Sequence, residues 1–135
     1  MSLLESIPAE LQELDNWTDG RGVQWFATTN LEVHGLARAM KDWHARFITI
    51  TAVQLPRDEG LCLEYLWDFD GSVLGFPFYL KGNTIASIFD ICEAADWIER
   101  EIHEGYAVEF AGREYEPLLL REGQQIGVNL REESK

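Results

Sequence analysis

Asp70-Gly71 stands between two runs that alternate in polarity, LCLEYLWDF over 61–69 and SVLGFPFYLKG over 72–82. A two-residue type I′ loop, which reverses a chain between strands, needs positive φ at both positions, and Asp-Gly supplies it. The pair therefore predicts a tight antiparallel hairpin, the strongest local constraint in the chain. The same stretch, WDFDG, looks at first like a calcium loop. An EF-hand needs glycine at its sixth position and a glutamate at its twelfth, whereas Gly71 falls fourth from Asp68. Pro77 lies inside the returning strand and has no N–H to donate, which predicts an edge or bulge position there.

Around the hairpin the pattern changes period. ARFITITAVQL over 45–55 alternates and reads as a third strand, and VQWFATT over 23–29 as a shorter one. Leu3, Leu4, Ile7, Leu11 and Leu14 recur at helical spacing, with Pro8 able to break the run. Leu31, Leu36, Met40 and Trp43 mark a second helix, for which Asn30 is the expected cap. DNWTDGRG between these reads as turn. GNTIASIFDI is apolar and β-rich, a third helix is expected over about 92–105, and AVEFAGREYE closes with a short strand. Helices and mainly antiparallel strands in 135 residues predict one α+β domain. It should have two layers, a mixed, mostly antiparallel sheet with helices on one face. The expected domain spans 1–125, and 126–135 reads as a polar tail.

Charge narrows the function. The chain carries 24 acidic against 11 basic residues, a net charge of −13. Binding to nucleic-acid phosphates needs a basic field, so nucleic acid is not an expected partner. No run of about 18 apolar residues occurs, so no membrane span is expected. MSLLESIPAE lacks the basic and apolar regions of a secretory signal, and a cytoplasmic location is expected. Cys62 and Cys92 form no C-x-x-C pair and read as small buried hydrophobes, so a cysteine-ligated cluster within the chain is not expected. No Gly-x-Ser-x-Gly elbow or glycine-rich phosphate loop occurs.

The segment EAADWIEREIHEGYAVEF, 93–110, concentrates the remaining chemistry. As a helix, Ala94, Ala95, Ile98 and Ile102 form a narrow apolar stripe that Trp97 widens. Asp96 and Arg100 stand one turn apart and can pair, as do Glu99 and His103. The latter two offer a ligand pair or an acid–base couple. Two ligands do not make a metal site, and His34 and His44 are isolated. No catalytic, cofactor or metal residue is therefore assigned.

Ala94-Ala95-Asp96-Trp97-Ile98-Glu99-Arg100-Glu101-Ile102 resembles the signature of the 30-kDa subunit family of respiratory complex I. That family includes the small subunits of membrane-bound energy-converting nickel–iron hydrogenases and formate hydrogenlyase. The register continues without gaps through His103, Glu104, Gly105, Tyr106, Ala107, Val108, Phe110 and Gly112, and Ile85, Ser87 and Ile88 fit the entering strand. The resemblance covers about 45–120 and is specific over 85–112. Three places depart from the pattern. Ile98 replaces a tyrosine, Gly105-Tyr106-Ala107 replaces Leu-Phe-Gly, and Arg113-Glu114-Tyr115-Glu116-Pro117 replaces a basic His-Pro-Asp-Leu-Arg-Arg loop.

The resemblance implies a cofactor-free scaffold subunit on the cytoplasmic side of the membrane. Its partners would be a large hydrogenase-like (49-kDa-type) subunit and iron–sulfur subunits of an NADH dehydrogenase or hydrogenase. Trp97, Glu99, Arg100, Glu101, Tyr106 and Arg113 would be docking residues, with the ionic edge of the helix facing the partner. The plainer alternative makes Trp97 core and Arg100 a surface partner of Asp96. A free-standing acidic protein-binding module of the same fold is the competing function, favoured by the altered 113–117 loop.

Overall fold

The computed structural model describes residues 9–56, 60–80 and 82–113. The expected hairpin is its centre. β4 (Leu61–Phe69) and β5 (Ser72–Leu80) pair antiparallel along their whole length. Asp70 (φ 52°) and Gly71 (φ 89°) make the turn with the positive φ values anticipated from the sequence. β3 (Arg46–Gln54) adds antiparallel to β4, with a register irregularity between Phe47 and Thr49.

Two short strands complete this sheet. β2 (Gln24–Phe26) runs parallel to β5, and β1 (Asn16–Thr18) pairs antiparallel to β2. The order is β1-β2-β5-β4-β3. β1 falls where the sequence read turn. Its pairing rests on side chains that alternation does not register. The buried Gln24 accepts from the Thr18 hydroxyl at 2.6 Å and donates to Asn16 Oδ1 at 2.9 Å.

Pro77 does not mark an edge strand, because β5 lies between β2 and β4. The local pairing explains its place. β2 meets β5 only at Leu74 and Gly75, so it stops short of Pro77. Opposite β4, the alternation set by the hairpin makes Pro77–Glu64 a non-hydrogen-bonded pair. The missing N–H therefore costs no ladder bond, and the Pro77 carbonyl accepts from the Thr28 hydroxyl.

The helices lie on one face. α1 (Ala9–Gln12) buries Leu11. α2 (Val33–Asp42) buries Val33, Leu36, Ala37 and Met40 at helical steps. Its cap is Glu32 instead of Asn30. A turn from Thr28 to Leu31 uses up the expected start, and the Glu32 carboxylate then accepts from the N–H groups of His34 and Gly35. The sheet side chains facing the helices, Leu63, Tyr65, Trp67, Leu74 and Phe76, are buried and make an aromatic core. The Phe26 and Phe76 rings stack at 5.3 Å, and the Trp67 and Phe76 rings meet edge to face at 5.9 Å.

The segment 84–111 adds a second, two-stranded sheet that shares the core of the first. β6 (Thr84–Ala86) and β7 (Glu109–Ala111) pair in parallel. A 3-10 turn, Glu93–Ala95, and α3 (Asp96–Tyr106) connect them. Parallel neighbours require such a crossover. Of the two cysteines, Cys62 is buried and Cys92 half-buried, and burial pushes the Cys62 thiol up to about 11. The expected helical positions Leu3, Leu4 and Ile7, and the polar tail over 126–135, lie outside the described residues.

α3 ends on Ala107, whose φ of 58° is left-handed. That conformation crowds a Cβ against the following carbonyl and costs roughly 1–2 kcal/mol. It falls where the resembled pattern carries glycine. Ala107→Gly should therefore stabilise the chain by about 0.5–1 kcal/mol and raise the melting temperature by about 2–4 °C, read by thermal denaturation.

Candidate functional site

The stripe on α3 is not wholly apolar. Ala95, Glu99 and Ile102 follow at steps of four and three, and all three are buried. Glu99 is 0% exposed. Its orientation corrects the expectation that it lies on the outward ionic edge. A carboxylate taken out of water needs partners, and this one has three donors. The Ser87 hydroxyl donates to Oε1 at 2.6 Å, and the Ile88 N–H donates to Oε2 at 2.9 Å. Arg113 Nη1 donates to Oε1 at 3.1 Å. Ser87 Oγ in turn accepts from the Phe89 N–H at 3.1 Å, which fixes the hydroxyl rotor toward Glu99.

Arg113 is also interior, with a side chain 6% exposed. Its second nitrogen, Nη2, donates to Asp96 Oδ1, and its guanidinium lies 4.9 Å from the Phe89 ring centre. The other Asp96 oxygen pairs with Arg100 at 3.4 Å, the one-turn pair expected from the sequence. Arg100 lies 5.7 Å from the centre of the Trp97 ring. A chain of contacts thus runs Ser87–Glu99–Arg113–Asp96–Arg100–Trp97, from the interior to the surface. Trp97 ends it 58% exposed, so it does not widen the core stripe.

Burial pushes the Glu99 carboxyl pKa up, and the bonds from Ser87, Ile88 and Arg113 pull it back. Burial also works against the Arg113 charge, but Asp96 and Glu99 hold its pKa above the ordinary guanidinium value. The Glu99 charge reaches Tyr65, whose hydroxyl pKa is driven well up by burial and further by that carboxylate. Tyr65 Oη has no hydrogen-bond partner among the described residues.

The remaining sequence-derived residues separate. Glu101 is exposed and Tyr106 half-buried. His103 faces a different partner from Glu99, with Nδ1 2.8 Å from the Val108 carbonyl. Glu99 and His103 therefore do not converge on one point. Among the described residues no three His, Cys, Asp or Glu side chains gather as metal ligands. Sequence reasoning missed Ser87 as a partner of Glu99, although it had placed both in the same motif.

A family model described as "Respiratory-chain NADH dehydrogenase, 30 Kd subunit" matches residues 27–135. The chain belongs to this 30-kDa subunit family. The match begins upstream of the resemblance read from the motif and takes in β3, β4 and β5 of the main sheet, while β1 and β2 precede it. Solved structures agree on the fold. One comes from the membrane-bound sulfane sulfur reductase (MBS), an archaeal respiratory membrane complex. It superposes with a TM-score of 0.71 and 21% identity, over 82% of this chain and 70% of that one. Another is a trypsin-resistant fragment (1-134) of Nqo5, with a TM-score of 0.60 and 18% identity, over 77% of this chain and 90% of that one. Family membership makes the protein a subunit of a complex I-like respiratory complex. No helix among the described residues of this 30-kDa-family chain is long and apolar enough to cross a membrane.

Removing Arg113 leaves Glu99 buried without its cation. Arg113→Ala should cost about 3–5 kcal/mol at pH 7, measured by urea unfolding. The cost should shrink at pH 5. The folded-state pKa of Glu99 is already raised and rises further without Arg113. Its contribution to stability is therefore fullest below its unfolded value and is lost as pH climbs through the folded one.

Proposed function

We propose that this chain is a non-catalytic scaffold subunit of a complex I-like NADH:quinone oxidoreductase or a membrane-bound energy-converting nickel–iron hydrogenase. It docks by the outer edge of α3 on the large 49-kDa-type subunit, beside iron–sulfur subunits, and sits at the cytoplasmic face of the membrane through those partners. It needs no cofactor of its own for this role.

The observation that carries the reading is the exposed Trp97 ring with Arg100 set against it and Asp96 holding Arg100. Tryptophan and arginine dominate binding hot spots. A side chain already held in place loses less freedom on association. Glu101 extends the edge outward, whereas Tyr106 falls on the inward side of α3 and packs against the core. Glu99 and Arg113 enter as the support beneath this surface, fixing Asp96 and hence Arg100.

Affinity purification from a native membrane extract tests the assignment. The large subunit and iron–sulfur proteins should co-elute with the tagged chain. Trp97→Ala should weaken that association by about 2 kcal/mol, roughly thirtyfold, with little change in the melting temperature of the isolated chain. Recovery of a lone chain would favour the free-standing acidic module instead.

A further inference from the structure

The face of the main sheet opposite the helices carries a second feature. Strand alternation turns Trp25, Glu64, Leu66, Pro77 and Tyr79 to that side. Trp25 lies flat over Gly75. A Cβ built on Gly75 would stand 2.4 Å from Trp25 Cε3, so only glycine admits the ring there. The Trp25 indole N–H donates to Asp19 Oδ2 at 2.9 Å, which locks its orientation. Trp17 pairs with Trp25 across β1 and β2 and is 48% exposed, and Tyr79 is 66% exposed.

These side chains wall a hollow of about 500 Å³. Trp17, Pro77 and Tyr79 also wall an adjoining hollow of about 520 Å³ that reaches Leu31. The two share Trp17, Pro77 and Tyr79 in their walls, and these side chains border a trough. Glu64 lines the first hollow together with Asp19 and Arg21, two acids against one base. Burial raises the Glu64 carboxyl pKa, and the Arg21 charge only partly offsets this. Among the described residues the Glu64 carboxylate has neither a hydrogen bond nor an ion pair.

We propose that this trough binds an extended segment of another polypeptide, one that places an arginine or lysine between apolar side chains. The cation satisfies the Glu64 carboxylate, and an arginine also stacks on the indole rings. The apolar neighbours cover Trp17 and Tyr79. A second copy of this chain is the poorer occupant. Each copy has a net charge of −13, so two copies repel one another. An anionic lipid surface meets the same repulsion. The α3 edge lies on the other side of the sheet, so this inference does not depend on the proposed function.

The test is an oriented library of ten-residue peptides with Arg, Lys, Glu or Gln fixed at the centre, panned on the full chain. Selection of central Arg or Lys with apolar flanks is the expected result. The best peptide should quench tryptophan emission, and Glu64→Gln should weaken it about tenfold while apolar preference at the flanks persists. Trp17→Ala should abolish binding without lowering the melting temperature appreciably. Absence of selection, equal selection of central Glu, or affinity unchanged by Glu64→Gln overturns the proposal. So does a dimer in sedimentation velocity that Trp17→Ala dissociates, or vesicle binding lost in the same variant. Protection of Trp17 from acrylamide in the isolated monomer would mean that the chain fills its own trough, and would equally overturn it.

Discussion

One buried carboxylate organises the 84–111 unit. Glu99 sits on α3, yet its partners lie in two other segments. Ser87 and Ile88 follow β6, and Arg113 follows β7. The same side chain therefore ties the entry and the exit of the crossover to its helix. β6 and β7 are three residues long each, and two such strands alone would not hold together in water. A charge removed from water tolerates few alternative arrangements, because any shift that breaks a contact leaves it uncompensated. The polar knot thereby fixes the geometry of a segment whose apolar side chains, Ile88, Ala95, Ile102, Val108 and Phe110, belong to the common core.

That geometry decides what α3 shows to solvent. With Ala95, Glu99 and Ile102 inward, Trp97 must face out and Glu101 with it. Arg113 reaches Asp96 from beneath, and Asp96 steadies Arg100 against Trp97. An interior ion pair and an exterior aromatic surface are thus parts of one connected set. The main sheet divides in a similar way. Its helix side is an aromatic core, and its other side carries the Trp17–Trp25–Tyr79 trough with Glu64 in its wall.

Legibility followed how local the determining interaction was. The β4–β5 hairpin was readable because Asp70-Gly71 needs nothing beyond its own backbone angles and two alternating flanks. The hydrophobic face of α2 was readable from its spacing, but its cap was not. Asn30 is the better intrinsic cap, and a Thr28–Leu31 turn displaced the start to Glu32. Residues 16–18 carry turn chemistry, and their pairing with β2 is reinforced by Gln24 amide bonds to Thr18 and Asn16 that alternation does not show. Pro77 suggested an edge strand, whereas it sits in an interior strand beyond the end of β2.

The motif around Trp97 placed the chain in its family, and alternation with helical spacing gave the α+β class and the order of most elements. Those are properties of residues near one another in the chain, so the sequence alone determined them. The direction of Glu99 belonged to the tertiary structure. Its helical register put it on the inward stripe, but a lone carboxylate on that stripe is stable only if cations and donors converge on it. Arg113 stands fourteen positions away and Ser87 twelve. Only the parallel pairing of β6 with β7 brings them to one point, and that pairing turned an apparent surface charge into the interior support of the helix.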